Sequence, residues 1–320
     1  MSTALLFPGQ GTQRAGMLTG LPGSPAAARA LRQAREVLGA IGGVPDPVDT
    51  AAALQASTNA QLALLIAGVV TARALIDDGG LRVEAVAGHS VGAFAAAVTA
   101  GVLSFDDALR AVAVRGREME RACAGGAWGM AALRGLGEGA ARGLVAAVAT
   151  PDAPLWLANV NAADQVVVSG TRQSLDRLAE RAPAAGARDL RMLAVTVASH
   201  CPLQAPAARA VAQALAEVTP GEQRYAYFAD TTGRRLAGAP GRVLDDLAAS
   251  VAQPVRWYDI IRLMPELGVT AAVEVPPGHV LTALNARQNP AMTTVAVDDV
   301  GIDAALHRVE RAGGRRSDAA

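Results

Sequence analysis

The sequence predicts an α/β fold, a mostly parallel sheet covered by helices and interrupted by a smaller domain with its own strand order. Three observations carry that expectation. Short apolar runs at 3–7, 83–88 and 270–275 alternate with helical segments, the pattern that builds parallel sheets. The stretch GGAWG (125–129) breaks the alternation. Beyond it the chain reads β-α-β-β-α-β over about 70 residues, the size of a compact unit of that order.

Taken in chain order, residues 3–7 form a buried strand ended by Pro8 and the glycines after it. Residues 26–39 and 59–77 have helical periodicity with little turn chemistry. VEAVAG (83–88) is a strand, and VGAFAAAVTAGVL (91–103) is a helix of small residues suited to close packing. Ser104 is placed to cap the helix FDDALRAVAVRGREMERAC (105–123), with Asp106 and Asp107 in its first turn, where the helix dipole favours acids. GMAALRGL (129–136) begins the insertion as a strand, and EGAARGLVAAVA (138–149) is a helix. LWLANVNAADQVVVSG (155–170) is a hairpin turning around 161–164, followed by a helix from 171 and a strand at 188–195. This βαββαβ order is the ferredoxin-like pattern. It divides the chain into a large domain of 1–125 and 199–320 and an insertion of 126–198. After His200 the alternation resumes through VLDDLAASVAQ (243–253), PVRW (254–257), a helix at 257–267 and a strand at 270–275. The tail RAGGRRSDAA (311–320) is expected to be mobile.

The 320 residues can bury one large core plus a smaller one. Hydrophobic residues make up 51% and charged residues 18%, as in soluble globular proteins. The 29 basic residues, all Arg, balance 29 acidic ones, so nothing electrostatic favours nucleic acid or an anionic membrane as a partner. Cys123 and Cys201 match neither a disulfide framework nor metal-ligand spacing, and a reducing compartment fits. The apolar runs 62–72 and 93–103 fall short of the about 20 residues a bilayer crossing needs and read as buried helices. No signal-peptide pattern opens the chain, and a cytoplasmic protein is expected.

G88-H-S-V-G92 matches G-x-S-x-G between a strand and a helix. Such a turn lifts the serine out of the sheet and aims the next amide at a developing oxyanion, making Ser90 the candidate nucleophile and Val91 N–H an oxyanion donor. A serine needs a base. His89 adjoins Ser90 and should point away, and His307 reads as a surface residue. His279 would serve in a hydrolase-type order of Ser, acid and His, with Asp230, Asp245 or Asp259 as the acid. His200, in VASHCPL, would serve if the cleft lies at the seam where the insertion rejoins the large domain. Composition does not choose between them. The opening loop LLFPGQGTQRAGM (5–17) fails as a dinucleotide fingerprint: Arg14 occupies the third glycine position and Glu36 lies inside a helical pattern.

Four segments in order, FPGQGTQ (7–13), GHSVG (88–92), AVRGREM (113–119) and SHCPL (199–203), resemble the malonyl-CoA:acyl-carrier-protein transacylase family. NVNAADQVVVSG, PVRW and EVPPGHVLTAL add to the resemblance. It implies a hydrolase-like large domain with a ferredoxin-like insertion. It further implies Ser90 as nucleophile, His200 as general base and then acid, and Gln10 and Val91 N–H groups as the oxyanion hole. Arg115 would bind the malonyl carboxylate, and Asn161 could line the pocket or simply sit in the hairpin turn. Gln10 would act through its amide N–H more than its side chain.

The chain departs from the family's usual pattern at Ala93, where Glu is common, and at Ser250, where Gln is common. The latter orients the histidine through its backbone carbonyl, so Ser250 could do the same, giving a Ser–His dyad without an acid. Implied substrates are malonyl-CoA and a carrier protein with a phosphopantetheine-type arm, with no metal or other bound cofactor. The segments STNAQLALLIAGVVTARAL, GHSVGAFAAAVTAGVLSF and FPGQGTQRAGML look closer to the malonyl-transferring epsilon subunit of malonate decarboxylase than to the fatty-acid-synthesis enzyme. That implies the decarboxylase carrier as acceptor and other decarboxylase subunits as partners, with the fatty-acid-synthesis transacylase as the alternative. From other classes, a G-x-S-x-G thioesterase or lipase and a non-catalytic carrier-binding subunit remain.

Overall fold

The computed structural model describes residues 2–317, with side chains through Ala312. Its elements run β1 (Ser2–Phe7), α1 (Pro25–Ile41), α2 (Ser57–Arg73), β2 (Ala85–Gly88), α3 (Gly92–Thr99) and α4 (Phe105–Ala122). Then come β3 (Trp128–Arg134), α5 (Glu138–Val148), β4 (Leu155–Ala162), β5 (Gln165–Thr171), α6 (Arg172–Arg181) and β6 (Asp189–Met192). The chain continues with α7 (Ala205–Ala216), β7 (Ala226–Phe228), β8 (Arg235–Leu236), α8 (Pro240–Ala249) and α9 (Trp257–Glu266). It closes with β9 (Val269–Glu274), α10 (Val280–Gln288), β10 (Thr293–Ala296), α11 (Val297–Val300) and α12 (Ile302–Ser317).

The larger sheet has six strands in the order β10-β9-β1-β2-β7-β8, parallel throughout except for the β7–β8 pair. β1 is apolar and closed to solvent from Thr3 to Phe7 because strands and helices cover it on every side. The register Ala4↔Ala85 to Phe7↔Gly88 brings β1 and β2 to an end together. The loop after Phe7 and the turn after Gly88 therefore leave the same sheet edge, where ligands of open α/β sheets bind.

Helix α2 is buried along its whole length except Arg73, against α1, α3 and α4. With the π turn that extends it to Asp78 it is long and apolar enough to span a bilayer, yet here it forms the centre of the large core. Gly68 lets it approach Phe7 and Ala95, since a Cβ there would already stand 3.0 Å from Ala95 Cβ. The small-residue helix after β2 stops at Thr99, earlier than its pattern suggests, because the chain turns through left-handed Gly101. Ser104 caps α4 as its sequence predicts, its Oγ accepting Asp107 N–H at 3.1 Å.

The insertion forms a four-stranded antiparallel sheet in the order β4-β5-β3-β6, the ferredoxin-like arrangement, over its own core of Leu133, Leu157, Val166, Leu175 and Leu178. The PVRW segment ties it to the large sheet. Val160 N–H donates to the Val255 carbonyl and Val255 N–H to the Ala158 carbonyl, both at 2.9 Å. Of the tail expected from residue 311, residues 311–317 continue α12, and residues 318–320 lie outside the described residues.

Candidate active site

Ser90 occupies the turn between β2 and α3 with a left-handed φ of 57°. The flanking glycines are there for space. A Cβ on Gly88 would fall 2.1 Å from Ala93 N, and one on Gly92 would fall 2.2 Å from the Phe7 carbonyl oxygen. The turn is thus wedged against the end of β1, and Ser90 N–H is held by Asp230 Oδ2 at 3.0 Å.

His200 reaches this serine from the seam after the insertion, as one of the two sequence readings requires. Its Nε2 lies 2.8 Å from Ser90 Oγ, and its Nδ1 lies 2.6 Å from the Ser250 carbonyl oxygen. A carbonyl only accepts, so Nδ1 carries the proton and Nε2 is free to take one from the hydroxyl. The Ser250 contact is made by the backbone, while its hydroxyl donates to the Leu247 carbonyl. Burial first, then the Arg115 charge, pushes the His200 imidazole down to about 3, so it is neutral at physiological pH. The adjacent Cys201 thiol is pushed up to about 11 by burial and is no rival nucleophile.

Arg115, on α4, is completely buried. Its Nη2 donates to Ser90 Oγ at 3.0 Å and its Nη1 to Gln61 Oε1 at 2.6 Å, while Nε has no partner. Among the described residues no carboxylate contacts this guanidinium. Burial lowers it to about 10, which still leaves it charged near neutrality. A buried, charged guanidinium beside the Ser90 hydroxyl can pair with an incoming anion.

Gln61 is a site residue that sequence reasoning missed. It stands on α2, entirely buried; its Oε1 accepts from Arg115, and its Nε2 donates to Gln10 Oε1 at 3.0 Å and to Ser57 Oγ at 3.1 Å. Its only signal is the polar cluster Ser57, Thr58, Asn59 and Gln61 at the start of a long, largely apolar helix. The same contacts give the Gln10 side chain a part of its own beside its amide N–H: it helps hold Gln61, and through it Arg115. The Gln10 and Val91 N–H groups have no protein acceptor among the described residues, as donors reserved for an oxyanion should be.

The remaining candidates lie elsewhere. His279 is exposed at the start of α10 and pairs with Asp299 at 2.9 Å, which raises its pKa. It is not gathered with Ser90. Asp245 is exposed and Asp259 is engaged by Arg256. Asp230 is beside Ser90, but on its backbone N–H instead of on a histidine. Asn161 lies in β4, ahead of the turn, and its Oδ1 meets His89 Nε2 at 3.0 Å. It therefore touches the turn through His89, whose ring also packs against Trp257 at 5.6 Å. His307 is exposed on α12. Among the described residues no cluster of His, Cys, Asp and Glu could hold a metal.

Residues 4–301 match the family described as acyl transferase domain. The chain is 33% identical over 303 residues to the malonyl CoA-acyl carrier protein transacylase of Escherichia coli (strain K12), covering 92% of this chain and 96% of that protein. Its structure is similar to that of FabD from Acinetobacter baumannii, with a TM-score of 0.88, 30% identity and coverage of 97% and 99% of the two chains. It is also similar to a malonyl-transacylase solved in complex with its type II PKS acyl-carrier protein, with a TM-score of 0.86, 31% identity and coverage of 96% and 99%.

Proposed function

The chain belongs to the acyl transferase family that includes the malonyl-CoA:acyl-carrier-protein transacylases, and from that premise we propose that it moves malonyl from malonyl-CoA to the thiol of a carrier protein's prosthetic arm. The observation that carries the reading is Arg115, a buried guanidinium without a carboxylate, 3.0 Å from the Ser90 hydroxyl. A thioester whose acyl group ends in a carboxylate supplies the missing anion and brings its carbonyl carbon to Ser90.

The steps follow from the donors present. Ser90 Oγ attacks the thioester carbonyl as its proton passes to His200 Nε2. The tetrahedral oxyanion accepts hydrogen bonds from Gln10 and Val91 N–H, donors of a kind worth about 10²–10³ in rate each. Collapse expels the CoA sulfur, which takes the proton from His200 and leaves malonyl on Ser90. The carrier thiol then repeats the sequence in reverse, giving its proton to His200 and receiving the acyl group. The Ser250 carbonyl keeps the ring oriented throughout, and no carboxylic acid is required.

The names of the relatives support an acyl carrier protein as acceptor ahead of the malonate decarboxylase carrier, which the segments at 57–75 and 88–105 favour. Transfer to both carriers, measured side by side with malonyl-CoA as donor, tests this. Faster transfer to the acyl carrier protein supports the transacylase of fatty-acid synthesis, and faster transfer to the decarboxylase carrier supports the epsilon-subunit reading. Rapid hydrolysis of malonyl-CoA without either carrier would contradict a transferase. We place the reaction in the cytoplasm, where both substrates of such an enzyme are found.

A further inference from the structure

We propose that Asp230 is a positioning residue for acylation: its carboxyl group, bonded to Ser90 N–H, fixes the left-handed turn that aims Ser90 Oγ at His200 and Val91 N–H at the oxyanion. The inference rests on Ser90 being the nucleophile.

A serine with φ of 57° holds a conformation that L-residues avoid, and it persists only when its surroundings impose it. The neighbouring amides are fixed by backbone: His89 N–H by the Phe7 carbonyl, Gly92 N–H by the His89 carbonyl and Ala93 N–H by the Ser90 carbonyl. Ser90 N–H is fixed by a side chain, Asp230 Oδ2, from the loop after β7. That loop is itself held. Asp230 is fully buried, its N–H donates to Asp246 Oδ2 at 2.9 Å, and its carbonyl accepts Arg256 N–H at 2.7 Å. Asp246 also receives Thr231 N–H and the hydroxyls of Thr231 and Tyr227.

The two carboxyl groups differ in supply. Asp246 has four donors, whereas Asp230 has Ser90 N–H on one oxygen and nothing on the other. Burial and the neighbouring Asp246 hold Asp230 well above the usual carboxylate range, against the opposing pull of the Ser90 N–H bond and the Arg115 charge. Its task is to accept a hydrogen bond from Ser90 N–H. An amide can do the same work, and a methyl group cannot.

The test tracks malonylation of Ser90 by rapid quench and mass spectrometry in the full-length protein, with malonyl-CoA as the probe. Wild type, Asp230→Asn and Asp230→Ala are compared, with KM and thermal melting measured for each. Asp230→Ala should slow the acylation burst about 10²-fold at unchanged KM, the scale of an ångström's misplacement of a reacting group. Asp230→Asn should remain close to wild type in burst rate. A wild-type burst in Asp230→Ala, or an Asn variant as slow as the Ala variant, overturns the positioning role alone. Absence of label on Ser90 in wild type overturns the nucleophile assignment and this inference together. If Asp230→Ala does not fold, the Asn variant decides: a near-wild-type burst supports the role, and a loss of about 10²-fold overturns it.

Discussion

Ser90 and His200 meet at 2.8 Å, and they are the two non-glycine residues with left-handed φ among the described residues, at 57° and 58°. Backbone strain thus sits at both ends of the one hydrogen bond on which the proposed proton transfer depends. Such strain is held at functional sites by the surrounding packing. Here the wedge of Gly88 and Gly92 holds one end. The His200 N–H bond to the Val251 carbonyl holds the other.

The choice between the two histidines gives the first prediction. His200→Ala should lower malonyl transfer by about 10²–10⁴-fold, the usual worth of a general base. His279→Ala should leave transfer near wild type, because that ring is exposed and paired with Asp299. Steady-state transfer rates check both, and the opposite pattern would restore the hydrolase-type order.

A pH profile tests the state of the base. With His200 held at about 3 by burial and Arg115, kcat/KM should be level from neutrality down through the ordinary histidine range near 6.5. It should fall only in stronger acid, since this parameter reports the free enzyme. Stability carries the same sign: between 6.5 and about 3 the unfolded chain binds a proton that the native imidazole refuses. This site therefore loses stability as pH falls through that window. A drop in kcat/KM centred near 6.5 would mean that His200 titrates normally.

Arg115 should decide acyl selectivity. Arg115→Ala should cost about 2–5 kcal/mol in kcat/KM for malonyl-CoA, the penalty for removing one partner of a buried charge pair. Acetyl-CoA, lacking the carboxylate, should be spared that loss. Competition between the two thioesters measures the difference.

Gln61→Leu should weaken malonyl-CoA by leaving Arg115 Nη1 without its acceptor, raising KM more than it lowers the acetyl-CoA rate. Gln10→Ala should show a milder form of the same defect, because Gln10 braces Gln61. Gln10→Pro should be more severe, since it also deletes the oxyanion donor. Malonyl-CoA KM and kcat for the three variants separate these effects.

The fold and the candidate nucleophile are legible because each is written in local pattern. Alternating strand and helix periods marked the parallel sheet, and G-x-S-x-G between a strand and a helix marked Ser90. The choice of base was not local. His200 lies 110 residues from Ser90 in sequence, and residue order alone serves His279 equally well; only the resemblance at SHCPL points to His200. Gln61 stayed hidden because a buried amide in an apolar helix has no periodic signature. Asp230 read as a triad acid because its type was visible and its partner, a backbone amide 140 residues away, was not. Asn161 read as a turn residue or a pocket residue, since only the strand register shows that its side chain ends on His89.

In the proposed reaction Ser90 carries malonyl, selected by Arg115, on its way to a carrier thiol. The most direct measurement is peptide mass spectrometry of the protein quenched after malonyl-CoA and again after a carrier protein is added. A malonyl adduct on Ser90 should appear, disappear as the carrier becomes malonylated, be lost in Ser90→Ala and be strongly reduced in Arg115→Ala. An unmodified Ser90 during rapid transfer, or an adduct equally abundant without Arg115, would contradict it.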